Sequence, residues 1–206
     1  LGMDEYFYQI MVDQINKPNG LILTTGPTGS GKTTTLYACL KKLRSPQVKI
    51  ITIKDPIEYH LDGISQTQID HEKGYDFSHG LRAAVRQDPD VIMVGEIRDE
   101  ETASVAIDSA LTGHLVFSTL HTNNAAGAIP RLVDIGINPK IISSALNIAI
   151  GQRLVRRLCK FCKEEYVLEG KEAEAFNREL PDIVRFRPKL IVPEKLWRPV
   201  GCEKCS

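Results

Sequence analysis

The sequence predicts an α/β fold with a mainly parallel sheet, followed by a small cysteine-bearing subdomain. Three observations predict it. Short apolar or β-branched runs alternate with helix-like stretches between residues 4 and 150, the pattern of parallel strands joined by helical crossovers. One strand-to-helix junction, Gly26-Pro27-Thr28-Gly29-Ser30-Gly31-Lys32-Thr33, fits G-x-x-x-x-G-K-[ST], a phosphate-binding loop. Beyond Cys162 periodicity fades, and two C-x-x-C pairs bound the charged, proline-containing stretch 163–201.

The elements follow in order. Residues 4–16 carry Phe7, Ile10, Met11 and Ile15 at helical spacing. Asn19-Gly20 marks a turn into a strand at 21–25, and a helix at 32–43 follows the loop. Val48 to Ile53 is short and β-branched, hence a second strand, and 64–69 reads as a more polar one. Asp76 or Ser78 caps a helix that runs to about Gln87, where Asp88-Pro89 stops it. Residues 91–94 form a buried strand. Asp99 then caps a helix with Glu100 and Glu101 in its first turn, ending near Gly113. Residues 114–119 read as the next strand, and 125–135 and 139–150 as two helices separated by Gly136 and Pro139.

Composition narrows the function classes. The 206 residues are 42% hydrophobic and 25% charged, ordinary for a globular chain with one sizeable core. Lys plus Arg and Asp plus Glu both number 26, which gives no electrostatic footprint for nucleic acid, and no direct nucleic-acid partner is expected. No apolar run approaches the roughly 20 residues of a membrane span. Residues 1–16 mix acids with apolar positions and lack a signal-peptide pattern. The opening Leu1-Gly2-Met3 and the close at Ser206, directly after a cysteine, lead to the expectation of a fragment. The domain expectation is 1–158 for the nucleotide-binding part and 159–206 for the cysteine subdomain.

Six groups of residues carry chemistry. In the loop, glycines let successive N–H groups converge on one anion, Lys32 adds a mobile positive charge, and Thr33 offers a hydroxyl to Mg²⁺. Thr34 opens the helix beside it. The strand Asp90 to Val94 delivers Glu96 one position past Gly95, the arrangement of a Walker B acid that holds Mg²⁺ or polarises the attacking water. Asp55-Pro56-Ile57-Glu58 ends the second strand, where open α/β sheets bind ligands. Those acids serve as metal ligand or general base, or else Asp55-Pro56 is an ordinary turn. His114 and His121 bracket a strand, and a histidine facing a γ-phosphate can sense the nucleotide state. Arg82, Arg86 and Arg98 can neutralise phosphoryl charge from this subunit or a neighbour, or simply be solvated. Cys159, Cys162, Cys202 and Cys205 read as a closed Cys₄ zinc site, with Fe–S binding or two disulfides as the alternatives. Cys39 reads as a small buried residue.

Together these boxes resemble the secretion ATPase superfamily, the motors of type II secretion and type IV pilus assembly. The resemblance rests on residues 26–33, on Ile53-Lys54-Asp55-Pro56-Ile57-Glu58 as an "Asp box", on Asp90 to Asp99, on Thr112 to Thr122 as a "His box", and on the cysteine quartet. It covers nearly the whole chain, and the quartet is similar to the assembly and secretion branch. The resemblance implies a RecA-like core that uses ATP, Mg²⁺ and Zn²⁺ and works as a homo-hexamer. It implies a cytoplasmic location, peripheral at the inner-membrane face, with a membrane platform and cytoplasmic adaptor proteins as partners and an N-terminal domain before residue 1. It assigns Lys32 and Thr33 to phosphates and Mg²⁺, Glu58 and Glu96 to catalysis, and His114 and His121 to the neighbourhood of the γ-phosphate. It assigns Arg82, Arg86 and Arg98 to nucleotide or subunit contacts. One position departs: Lys54 stands where the family's box has glutamate. It is expected to pair with Glu96 or a phosphate, or to disturb a Mg²⁺ shell. The rival readings are a nucleic-acid motor and a nucleotide-gated scaffold with weak turnover.

Overall fold

Periodicity of two along the strands builds a three-layer architecture. The structure, a computed structural model, describes residues 2–186 and 196–205. It separates into two compact units, Leu1–Leu154 and Val155–Ser206. In the first unit the strands are β1 (Gly20–Thr25), β2 (Ile50–Lys54), β3 (Ser65–Gln68), β4 (Val91–Val94), β5 (Leu115–Leu120) and β6 (Leu146–Gly151). They lie side by side in the order β3-β2-β4-β5-β1-β6, every neighbouring pair parallel. The helices are α1 (Glu5–Ile15), α2 (Lys32–Leu43), α3 (Phe77–Val85), α4 (Glu100–Leu111), α5 (Ala128–Asp134) and α6 (Pro139–Ala145).

Alternate side chains of each strand enter opposite cores. Ile22, Val91, Met93, Leu115 and Phe117 join Met11 and Ile15 of α1 and Leu36, Tyr37 and Leu40 of α2. Leu21, Leu23, Ile92, Val94 and Val116 point the other way, against Leu81 of α3, Ala103, Ala106, Ile107 and Ala110 of α4, Leu132 of α5 and Ile142 of α6. The buried apolar residues of α4 recur at i, i+3, i+4 and i+7, and three of the four are alanines, so that helix packs its backbone close to the sheet. β1, β2, β4 and β5 are buried throughout, as expected of parallel strands covered on both faces.

Caps set the helix starts. The side chains of Asp4, Asp76, Asp99 and Asn138 each accept an N–H from the first turn of α1, α3, α4 and α6. Of the two residues expected to cap α3, Asp76 does so, and Ser78 is buried inside the helix. The expected helix at 139–150 is corrected: α6 stops at Ala145, and 146–151 is a strand paired with β1. Unsatisfied backbone groups along β1 offer Leu-Asn-Ile-Ala-Ile-Gly a ladder, and this tertiary pairing overrides its local helical reading.

In the second unit, β7 (Glu164–Tyr166) pairs antiparallel with β8 (Leu196–Arg198), and α7 (Gly170–Phe186) fills part of the stretch where no periodicity was expected. Residues 187–195 and 206, within the expected subdomain, lie outside the described residues. Among the described residues no helix is long and apolar enough to cross a membrane.

Candidate functional site

Strand register decides which side chains meet. β1 ends at Thr25 and β5 at Leu120, paired with each other, while Ile53 of β2 pairs with Val94 of β4. The segments leaving these ends line one pocket, which includes Lys32, Thr33, Lys54, Asp55, Glu58, Glu96 and His121. This is the carboxyl edge of a parallel sheet, where such folds bind ligands.

The loop between β1 and α2 has left-handed φ at Gly29 (77°) and Gly31 (83°), a conformation that costs little without Cβ. A Cβ at Gly26 would meet the Gln152 carbonyl oxygen at 2.3 Å. Lys32 folds back, and Nζ donates to the carbonyls of Gly26 (2.9 Å) and Pro27 (3.0 Å). Its pKa lies below the ordinary lysine value because burial disfavours the ammonium, an effect that Glu96 partly offsets. Pro27, Thr28, Gly29 and Thr34 are exposed, while Ser30 is buried. Gln152, just past β6, braces the loop. Its N–H donates to Thr25 O, Nε2 donates to Ser30 O at 2.8 Å, and Oε1 accepts from Thr35 Oγ1 at 2.8 Å. Sequence reading missed Gln152, which no local motif marks.

Glu96 follows Gly95 out of β4. A Cβ at Gly95 would crowd Phe77 Cε1 at 3.2 Å and Lys54 Cδ at 3.3 Å. Thr119 Oγ1 donates to Gly95 O, and the Ile97 N–H donates to Thr119 O, which fixes the turn against β5. The Glu96 side chain is only 12% exposed, and both carboxylate oxygens are engaged. Arg98 Nη2 lies 2.5 Å from Oε1, and His121 Nε2 lies 3.0 Å from Oε2. The hydrogen bond to Glu96 raises the Arg98 pKa further above its ordinary value.

Lys54 closes β2, buried on the pocket floor. Its Nζ reaches Glu58 Oε1 (3.2 Å) and Thr33 Oγ1 (3.3 Å), and stands 5.9 Å from the centre of the Tyr37 ring. Its carboxylate partner is Glu58, whereas both Glu96 oxygens are held by Arg98 and His121. Asp55 pairs with His71 at 3.3 Å. Burial first, and Glu58 next, push the Tyr37 phenol up to about 12.

His114, Arg82 and Arg86 fall outside the pocket, and Arg98 reaches it only through Glu96. His114 precedes β5 at the edge opposite the loop, and its Nδ1 lies 3.1 Å from Ser109 O. Six strand residues at about 3.3 Å each keep it roughly 20 Å from the site. Its expected place near the phosphate is therefore corrected, because a strand presents opposite sheet edges to the residues before and after it. Arg82 pairs with Glu101 at 2.9 Å, and Arg86 is exposed at the end of α3; neither lines the pocket.

In the second unit the Sγ atoms of Cys159, Cys162, Cys202 and Cys205 all lie within 4.8 Å of one another, a group that could hold a metal. Cys162 and Cys205 Sγ are 3.6 Å apart, and Cys202 and Cys205 Sγ 3.8 Å. Four thiolates about 2.3 Å from a tetrahedral zinc stand about 3.8 Å from each other, so the donor set fits. N–H groups of Phe161 and Cys202 donate to Cys159 and Cys205 Sγ. The Phe161 N–H leads the influences that lower the Cys159 pKa to about 7.

The chain matches the family described as Type II/IV secretion system protein over residues 1–206. It is 51% identical over 207 residues to the Type II secretion system protein E of Aeromonas hydrophila and 52% identical over 206 residues to the Type II secretion system ATPase E of Vibrio cholerae. Both alignments cover 100% of this chain and 39% of the relative, so the chain spans about two fifths of their length. Among solved structures, the pilus retraction motor PilT with bound ADP aligns with a TM-score of 0.68 at 34% identity, covering 91% of this chain and 57% of PilT. The Legionella pneumophila ATPase DotB aligns with a TM-score of 0.65 at 32% identity, covering 75% of this chain and 45% of DotB.

Proposed function

We propose that this chain, which belongs to the Type II/IV secretion system protein family, hydrolyses ATP to drive type II secretion or type IV pilus assembly. The observation that carries the reading is the convergence of Lys32, Thr33, Glu58, Glu96 and His121 on one pocket at the carboxyl edge of the sheet. ADP in the PilT structure supports a nucleotide in the corresponding loop.

In this reading the backbone N–H groups of residues 26–33 and the start of α2 receive the phosphates, and Lys32 leaves its loop carbonyls to neutralise them. Water attacks the γ-phosphorus, the bond to the bridging β–γ oxygen breaks, and ADP departs. Glu96 is the acid assigned to the attacking water. It is the more sheltered of the two, 12% exposed against 43% for Glu58. Arg98 and His121 hold its carboxylate in orientation. Thr33 and Glu96 are the candidate Mg²⁺ ligands, but their oxygens already face Lys54, Arg98 and His121. As arranged, the set does not fit a divalent ion, and no step here runs through one. The cysteine quartet would hold a structural zinc, closed to substrate.

The working assembly in this proposal is a homo-hexamer, cytoplasmic and peripheral at the inner-membrane face, bound to a membrane platform and cytoplasmic adaptors. Family membership supports it, and Arg86, exposed outside the pocket, is placed where it could meet a neighbouring subunit. The test is phosphate release. Glu96→Gln is expected to lower turnover by about 10² to 10⁴ while ATP still binds, and Glu58→Gln by much less. Unchanged release by Glu96→Gln would refute the assignment, and stimulation by single-stranded DNA would favour a nucleic-acid motor.

A further inference from the structure

Among the described residues, Lys54 is the only charged side chain that is buried, at 6% exposure. A buried ammonium needs a compensating anion. Among the described residues it has a single carboxylate partner, Glu58, which is itself 43% exposed and well solvated. The rest of its surroundings are the Thr33 hydroxyl and the face of Tyr37, both without formal charge. The charge is held on a rigid element. The Lys54 carbonyl accepts from Ile69, and the residue pairs with Gln68 of β3. The β2 backbone therefore anchors the side chain on the pocket floor, with Nζ between the loop hydroxyl and Glu58.

We propose that the Lys54 ammonium is a built-in cation of the nucleotide site, seated on the Thr33 hydroxyl that would otherwise face Mg²⁺, so that nucleotide binding by this chain is largely independent of Mg²⁺. The missing half of its charge compensation is a phosphate oxygen. An ammonium on Thr33 Oγ1 also repels a divalent ion aimed at that same hydroxyl. The inference rests on the nucleotide reading given above and concerns which cation accompanies the phosphates.

The test is titration of the purified protein with a fluorescent ATP analogue, in millimolar Mg²⁺ and again with the divalent ion chelated. The wild-type dissociation constant is expected to differ by less than about threefold between the two conditions. Lys54→Met is expected to weaken binding by about tenfold in both. Lys54→Glu restores an oxygen ligand, and its affinity is expected to fall more than about tenfold when Mg²⁺ is removed. A wild-type affinity that drops about tenfold or more on chelation overturns the inference, and needs no variant to do so. Absence of binding in both conditions overturns instead the nucleotide reading on which it rests.

Discussion

Gln152 lies more than a hundred residues from the phosphate loop in sequence, yet its side chain holds that loop at two points. Replacing it with alanine keeps the backbone bond to Thr25 O and removes the bonds to Ser30 O and Thr35 Oγ1, both 2.8 Å. A neutral intramolecular hydrogen bond contributes about 1 kcal/mol net, so the loop loses about 2 kcal/mol of support. At about 1.4 kcal/mol per decade, nucleotide affinity should fall by about 30-fold. Gln152→Glu keeps an acceptor for Thr35 but loses the donor to Ser30 O, and should fall by roughly fivefold, from the loss of one such bond. The assay is titration with a fluorescent ATP analogue, with circular dichroism to confirm folding. An alanine variant that binds within about twofold of wild type would refute the claim that this strut holds the loop.

Four other outcomes are expected. Phe117→Ala empties a fully buried site in the α1/α2 core and should cost about 3–5 kcal/mol in denaturant unfolding. Asp76→Ala removes the α3 cap and should cost about 1 kcal/mol at neutral pH. The His79 N–H holds the Asp76 carboxyl below its usual range, so that stability is present above the ordinary carboxylate pKa and is lost as pH falls through the depressed one. The difference between wild type and Asp76→Ala should accordingly vanish in acid, as read by urea titrations at several pH values. Chelation of zinc should expose the four quartet thiols to a thiol reagent while Cys39, its thiol pushed up to about 11 by burial, stays unmodified. Trp197, the only tryptophan, lies 4.2 Å from Lys163 Nζ in the same unit as the quartet, and its fluorescence should change with that chelation.

The parts of the site legible in the sequence were those in which chemistry is written locally. The loop glycines and Lys32 are constrained by one turn of backbone, and Gly95-Glu96 by the end of one strand. Asp76 and Asp99 cap helices through N–H groups only two or three residues away. The strand at 146–151 was illegible because its order comes from β1, a partner distant in sequence. His114 was misassigned for a related reason: proximity in sequence to His121 says nothing once a six-residue strand separates them. Helix α7 was missed although Ala173, Phe176, Leu180 and Ile183 recur at helical spacing along it, because its density of charge and the internal Pro181 read as a broken stretch.

By itself, then, the sequence determined the α/β class, the order of nearly every element in the first unit, the phosphate loop and the spacing of the four cysteines. Each of these depends on short-range backbone geometry and period. Only the tertiary structure decided that Glu96 is clamped by Arg98 and His121, that Gln152 braces the loop, and that Lys54 reaches Thr33 and Glu58. The contacts of His121 with Glu96, of Gln152 with the loop and of Lys54 with Thr33 depend on strand register, which sets which distant side chains share one sheet edge and is not encoded in any single segment.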